Sequence, residues 1–378
     1  MTTLVYEEWG EHEALLIRPR PSGPEIEPPV PKSVRLFREG LSLELGGWLP
    51  YVDVRFETYG PREASAGATL IFHALTGSAH AAGTYRPETL ARLTPLERAF
   101  GAKGWWNALV GPGKAIDTER RFVVVANVLG SCYGTTGPLS EGPDGEPYGP
   151  RFPAITIRDM ARVQRALLDF LGVRQVDVVG GSMGGMLALE FAVSYPERTR
   201  SLAVFAAPLR HGAWARGLSE LGRMAILEDR EFASGYYAAQ PRGLALARAI
   251  AMMGYRHPRS FELRWGHQPQ QAESYLRYQG DKFVRRFDAN TYLTLLAAMD
   301  RHDVGRGRGG LAAALDRIAH IPSIMVGIDS DLLYPAEEVK RSALLAGSEY
   351  AEIRSPHGHD AFLIESDQVS QILTAFGY

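Results

Sequence analysis

Gly180-Gly181-Ser182-Met183-Gly184 fits the pattern G-x-S-x-G. An apolar run, "VDVVG" (Val176–Gly180), leads into it, and a helix-like stretch (Met183–Ser194) follows and stops near Pro196. A sharp strand-to-helix turn holds such a serine in a strained backbone conformation, and small neighbours are needed because a Cβ there would clash. The hydroxyl then stands exposed at a helix N-terminus, where the Met183 N–H and the helix dipole can stabilise an oxyanion. A serine hydroxyl is a poor nucleophile without a base, so an acid and a histidine should follow in the order Ser, Asp, His. Ser330-Asp331 follows the strand-like "SIMVGID", and His357-Gly358-His359-Asp360 follows "EYAEIRSP". Both groups lie just past strand C-terminal ends, the edge at which Ser182 also stands. Asp329 competes with Asp331, and His357 with His359; spacing chooses within neither pair, and Asp329 and His357 keep the reading of solvated loop residues. A second oxyanion donor belongs on the loop after an early strand. "HALTGSAHAAG" (His73–Gly83) occupies that place, with the Leu75 N–H as candidate.

Other patterns carry less. His73 and His80 have no cysteine or acid at metal-ligand spacing, so no metal site is expected. "VGPGKAIDT" (Val110–Thr118) lacks a phosphate loop's first glycine, with Ala108 in its place, and has Ala115 where Ser or Thr is needed. Gly305-Arg306-Gly307-Arg308-Gly309-Gly310 formally matches G-x-G-x-x-G, but no apolar strand precedes it, and a single arginine–glycine loop in a slightly acidic chain is weak ground for RNA binding.

Elements must hold these groups in place. "ATLIFHAL" (Ala68–Leu75), "RFVVVANV" (Arg121–Val128), "VDVVG", "SLAVFAAP" (Ser201–Pro208) and "PSIMVGID" (Pro322–Asp329) are continuous apolar runs, as expected of strands buried on both faces of a parallel sheet. Ser33–Tyr59 alternates apolar and polar residues with glycine breaks, which predicts an antiparallel meander. Thr156–Gly172 reads as an amphipathic helix and Asp367–Phe376 as a closing helix. Between Pro208 and about His320 the strand signal disappears and helical segments take over. The expected organisation is a core over residues 1–207 and 321–378, interrupted by a helical lid over 208–320. Pro19–Lys32 reads as an extended, proline-rich arm.

The chain has 378 residues, 45% hydrophobic and 22% charged, with a net charge of −2 and one cysteine, Cys132. This balance implies no bulk attraction to nucleic acid or anionic membrane, and a lone cysteine allows no intrachain disulfide. With no basic segment leading into a long apolar run at the N-terminus, a cytoplasmic protein is the expectation.

Taken together, "HALTGSAHAAG", "GWWNALVGPGKAIDT", "NVLGSCYGTTGP", "FPAITIRDM", "VVGGSMGGMLALEFA", "ESYLRYQGDKF", "RFDANTYL" and "GHDAFL" closely resemble the homoserine O-acetyltransferases of methionine biosynthesis, from about Val34 to the C-terminus. The resemblance implies an α/β-hydrolase fold: a mostly parallel central sheet with N-terminal antiparallel strands and a helical lid insertion. It implies ping-pong transfer, in which Ser182 takes acetyl from acetyl-CoA and the L-homoserine hydroxyl then attacks the acyl-enzyme. His359 becomes the general base and acid, and Asp331, in "SDLLYP", the acid that orients it. Arg248 would clamp the homoserine carboxylate, Tyr255 would lie near the substrate and Asp360 would receive the amino group. Without the resemblance, Arg248 reads as a surface helix arginine. No bound cofactor is implied, acetyl-CoA being a substrate, and a homodimer is. Relatives that use succinyl-CoA look like "HALSGHHH" in the first loop and carry an arginine in the aspartate loop. Here those loops read Thr76-Gly77-Ser78-Ala79-His80 and Leu332-Leu333-Tyr334, and a buried carboxylate with no cation is costly, so acetyl is favoured. The alternatives are a succinyl- or serine-using relative, and a serine esterase in which water reaches the acyl-enzyme.

Overall fold

The computed structural model describes residues 26–378. The first part of the expected proline-rich arm, through residue 25, lies outside the described residues; the remainder runs without regular structure into β1 (Lys32–Leu36). Among the described residues, eight strands form one sheet in the order β1-β2-β4-β3-β5-β6-β7-β8. The further strands are β2 (Val52–Tyr59), β3 (Ala68–Phe72), β4 (Phe122–Ala126), β5 (Val176–Gly181), β6 (Thr199–Phe205), β7 (Ser323–Ile328) and β8 (Glu349–Ile353). β2 pairs antiparallel with β1 and β4, and the remaining neighbours are parallel. β3, β4 and β5 are buried at every residue, which is why their sequences show no alternation.

The expected meander is only partly realised. β1 and β2 pair in register from Lys32↔Phe56 to Leu36↔Val52, but the residues between them form a separate two-strand pair, Leu41–Ser42 with Trp48–Leu49. Gly40 and Gly46, both at positive φ, bend the chain out of the main sheet there.

Helix α1 (Ile157–Phe170) starts at a capping box formed by Thr156 and Asp159 and is followed by Gly172 at φ +67°. It buries Ile157, Met160, Val163, Leu167 and Leu168. At about 1.5–3 kcal/mol per fully buried aliphatic side chain, that packing outweighs the few tenths of a kcal/mol its β-branched residues cost as helix formers. Helix α2 (Met183–Ser194) follows β5 and is buried from Met183 to Val193, consistent with its apolar circumference. Between β6 and β7 lie α3 (Ala213–Leu227), α4 (Arg242–Tyr255), α5 (Pro258–Trp265), α6 (Gln270–Arg286) and α7 (Ala289–Asp300). The inner residues of α6 and α7, among them Phe283, Tyr292 and Leu295, share one apolar cluster with α1 and α2. α8 (Ala336–Ala346) and α9 (Ser366–Ala375) close the chain.

The β5–α2 junction is a tight crossing. A Cβ on Gly180 would stand 2.1 Å from the Gly184 carbonyl oxygen, and one on Gly184 would stand 2.2 Å from that of Phe72. Both obstacles are backbone and cannot swing aside. Gly184→Ala should therefore lower the thermal midpoint sharply, at a cost of about 3 kcal/mol or more. Gly217→Ala, on α3 with nothing within 4 Å, should leave the midpoint equal or slightly raised. Equal midpoints for the two variants would remove the close-approach explanation.

Candidate active site

Ser182 links β5 to α2 with φ 57° and ψ −127°, a conformation few side-chain-bearing residues adopt. Its backbone N–H is held by the Phe205 carbonyl of β6 at 2.9 Å. The side chain meets a base: Ser182 Oγ lies 2.8 Å from His359 Nε2, and His359 Nδ1 lies 2.7 Å from Asp331 Oδ2. A carboxylate only accepts, so Nδ1 carries a proton and Nε2 is free to accept from the serine hydroxyl. Asp331 is aimed by its own loop, its Oδ1 accepting from the Leu333 and Tyr334 N–H groups at 2.8 and 3.0 Å. The imidazole is walled by Tyr255, Tyr334 and Phe362, with ring centres 5.3 to 5.8 Å away. Burial disfavours its charged form, but the Asp331 carboxylate and, more weakly, Asp360 prevail and raise its pKa above the ordinary histidine value.

The competing residues are engaged elsewhere. Asp329 is exposed, and its Oδ1 accepts from the Ser355 N–H at 2.9 Å. His357 Nδ1 lies 3.3 Å from Ser260 Oγ. Neither has a hydrogen bond to Ser182.

Leu75 is buried just past β3, where Gly77 N–H bonds to the Ala74 carbonyl and closes a turn. Arg286, at the end of α6, grips the next residue. Its Nη1 donates to the Thr76 carbonyl at 3.0 Å and to Tyr133 Oη at 3.1 Å, and its Nη2 to Thr76 Oγ1 at 3.4 Å. Burial, joined by the like charge of Arg248, lowers the Arg286 pKa against the pull of Tyr133. On the same loop His73 donates to the Ala74 carbonyl and accepts from the Val128 N–H, and burial pushes its pKa down to about 4. His80 is buried between Glu57 and the Ala102 carbonyl and stacks on Tyr85. Both histidines are thus parts of the loop's frame. Among the described residues, no three His, Cys, Asp or Glu are grouped to hold a metal ion.

Arg248 points inward rather than outward, unlike the surface helix arginine its sequence position alone suggests. Its guanidinium lies 5.6 Å from the Tyr255 ring centre and 5.3 Å from that of Phe283, and its buried Nε has no hydrogen bond among the described residues. Tyr255 in turn reaches the His359 ring. Asp360 Oδ2 lies 3.4 Å from Arg256 Nε. Arg256 and Arg286 were not singled out by the sequence, since both act through partners far along the chain.

The glycine-rich decoys have structural roles. Lys114 Nζ donates to the Asn107 carbonyl at 2.5 Å. Arg306 grips Glu44 with two 2.9 Å bonds, Arg308 grips Glu190, and Arg158 joins both acids.

If His359 works as a base it must be neutral, so kcat/KM should rise with pH through an acid limb centred above the ordinary histidine range. Asp331→Asn should lower kcat/KM about a thousandfold or more and move that limb to lower pH, because burial is then left unopposed. Asp329→Asn should leave turnover nearly intact. Comparable losses in the two variants would overturn the choice of acid.

The α/β hydrolase fold family matches residues 70–366. Over its full length the chain is 60% identical to the homoserine O-acetyltransferase of Thermus thermophilus, covering 100% of both chains. Among solved structures it is similar to esterase E22, at a TM-score of 0.81 and 27% identity, covering 92% of this chain and 99% of that one. It is equally similar in fold to the homoserine O-acetyltransferase of Bacillus anthracis, at a TM-score of 0.81 and 26% identity, covering 92% and 97%. With that fold and that full-length relationship, the chain belongs to the homoserine O-acetyltransferase family of α/β hydrolase fold proteins.

Proposed function

We propose that this protein transfers the acetyl group of acetyl-CoA to the side-chain hydroxyl of L-homoserine through acetyl-Ser182, giving O-acetyl-L-homoserine for methionine biosynthesis. The observation that carries this reading is a Ser182–His359–Asp331 relay in a chain 60% identical, end to end, to an enzyme of that name. His359 Nε2 takes the Ser182 proton as Oγ attacks the thioester carbonyl. The N–H groups of Leu75 and Met183 receive the oxyanion. Collapse expels the CoA thiol, which leaves with the proton from the imidazolium, and acetyl stays on Ser182. The homoserine hydroxyl then gives its proton to His359 and attacks the acetyl carbonyl, and the second collapse returns Ser182 with its proton. Asp331 stays ionised throughout and fixes the imidazole tautomer.

Homoserine is a zwitterion. Arg248 takes its carboxylate, which gives the buried Nε an acceptor it lacks among the described residues. Asp360 takes its ammonium group, sharing its charge with Arg256. The Tyr255 ring lies between Arg248 and His359 and spaces the clamp from the base. No arginine follows Asp331, where Leu333 and Tyr334 are buried, so a donor carboxylate would have no cation there. Ser182 and His359 are 6% and 3% exposed, which limits water at the acyl-enzyme and favours transfer over hydrolysis. The protein is read as cytoplasmic, with no cofactor beyond the donor; no described helix is long and apolar enough to cross a membrane. A homodimer suits the exposed apolar stripe of Trp214, Leu221 and Met224 on α3 with Leu246 and Met253 on α4, and sedimentation in solution reads that state directly.

Thiol release from acetyl-CoA should be slow alone and accelerate on adding L-homoserine, with weaker responses to L-serine and to succinyl-CoA as donor. Fast release without an acceptor would make the protein a hydrolase. In the same assay Arg248→Ala should raise the homoserine KM about tenfold to a hundredfold while acyl-enzyme formation persists; an unchanged KM would remove the clamp.

A further inference from the structure

A second histidine stands behind the Ser182–His359–Asp331 relay. His211, on the loop between β6 and α3, is 7% exposed and lies outside the motifs singled out in the sequence. Its backbone is pinned to the segment after α7. Its N–H donates to the His302 carbonyl at 2.9 Å, and the neighbouring Arg210 forms an antiparallel bridge with Asp303. Its ring faces two groups. Nδ1 lies 3.1 Å from Tyr334 Oη, and Nε2 lies 3.6 Å from Oδ1 of Asp300, the last residue of α7. The other carboxylate oxygen of Asp300 is bonded to Arg223 of α3.

The chemistry of these neighbours fixes the tautomer. Burial, with His302 and Arg216 nearby, lowers the His211 pKa to about 4, so at neutral pH the ring is uncharged and carries one N–H. A carboxylate oxygen only accepts, so that proton belongs on Nε2, facing Asp300. Nδ1 is then the acceptor, and the Tyr334 hydroxyl donates to it. Tyr334 is fully buried, and this is the bond that satisfies its O–H. Tyr334 also touches both working parts of the relay. Its backbone N–H is one of the two that hold Asp331 Oδ1, and its ring stands edge-on to His359, with centres 5.3 Å apart and planes at 70°.

We propose that His211 is a positioning residue for the acyl transfer: by anchoring the Tyr334 hydroxyl it fixes the ring that walls His359 and the loop that aims Asp331. A ring tethered at its Cβ alone can swing, and a hydrogen bond at its tip stops that motion. Asp300 sets the tautomer that makes His211 an acceptor, and its bond to Arg223 ties α3 and α7 to the acid loop. The inference rests on the acyl-transfer reading above and adds His211 and Tyr334 to the residues that serve it.

The test uses three full-length variants. His211→Leu leaves the Tyr334 hydroxyl buried without an acceptor, and kcat with acetyl-CoA and L-homoserine should fall about tenfold to a hundredfold. Both half-reactions use His359, so both KM values should stay in place. His211→Asn puts a side-chain carbonyl oxygen near the position of Nδ1 and should restore most of the rate. His211→Leu/Tyr334→Phe removes both polar partners, so its thermal midpoint should recover toward that of the unaltered protein while kcat stays low. An unchanged kcat in His211→Leu, equal losses in the leucine and asparagine variants, or a kcat that recovers with the midpoint in the double variant would overturn the positioning role. The same variants are assayed with p-nitrophenyl acetate, which acylates the nucleophile without CoA or homoserine, and its nitrophenolate release should slow in the same order. Thiol release from acetyl-CoA that ignores homoserine in the unaltered protein would overturn the transfer reading instead, and the nitrophenolate rates would still decide the role of His211.

Discussion

The chain must turn from β5 into α2 within one residue, and that residue carries the hydroxyl proposed as the nucleophile. Its backbone, at φ 57° and ψ −127°, is tolerable only because the crossing around it is stripped of side chains at Gly180 and Gly184, where backbone approaches backbone. The strain is offset elsewhere: α2 is buried on all sides, and the Phe205 carbonyl of the neighbouring strand holds the Ser182 N–H. Oγ is therefore placed by a fully buried strand and helix, while Asp331 and His359 arrive from the loops after β7 and β8. Those loops need only bring one ring and one carboxylate to a fixed point.

Buried charge is handled in two ways. Around α1 and α2 every deep acid has its cation: Arg306 and Arg158 on Glu44, Arg308 and Arg158 on Glu190. Burial raises the pKa of Glu190, but Arg308 and Arg158 more than compensate and leave it below the ordinary value, as expected of a closed structural network. Near the site the pattern reverses. Arg248 and Arg286 flank Phe283 with no carboxylate bonded to either among the described residues, and they repel each other. Buried cations held without a counter-charge are costly. They make sense where negative charge comes with the ligand.

Much of this was legible in the sequence for local reasons. The buried strands announced themselves as unbroken apolar runs, α1 by its amphipathic period, and the Ser182 turn by its glycines and flanks. What depends on distant partners was not legible. Spacing could not choose between Asp331 and Asp329, because the choice turns on which carboxylate the loop aims inward. The arginines of the Gly305–Gly310 tract looked like a loose basic loop, yet their partners Glu44 and Glu190 lie more than a hundred positions away. Arg286 sits in a block that drew attention as a resemblance, but its contact with Thr76 crosses 210 residues. Ser33–Tyr59 alternates as strands do, and periodicity could not reveal that its middle leaves the main sheet.

The covalent step at the bend is the most exposed point of the account. Intact-protein mass spectrometry after brief mixing with acetyl-CoA, without acceptor, reads it directly. The geometry predicts a gain of one acetyl group, mapped to Ser182, absent in Ser182→Ala and discharged on adding L-homoserine. An acetyl group on another side chain, or homoserine-dependent turnover that survives in Ser182→Ala, would contradict it.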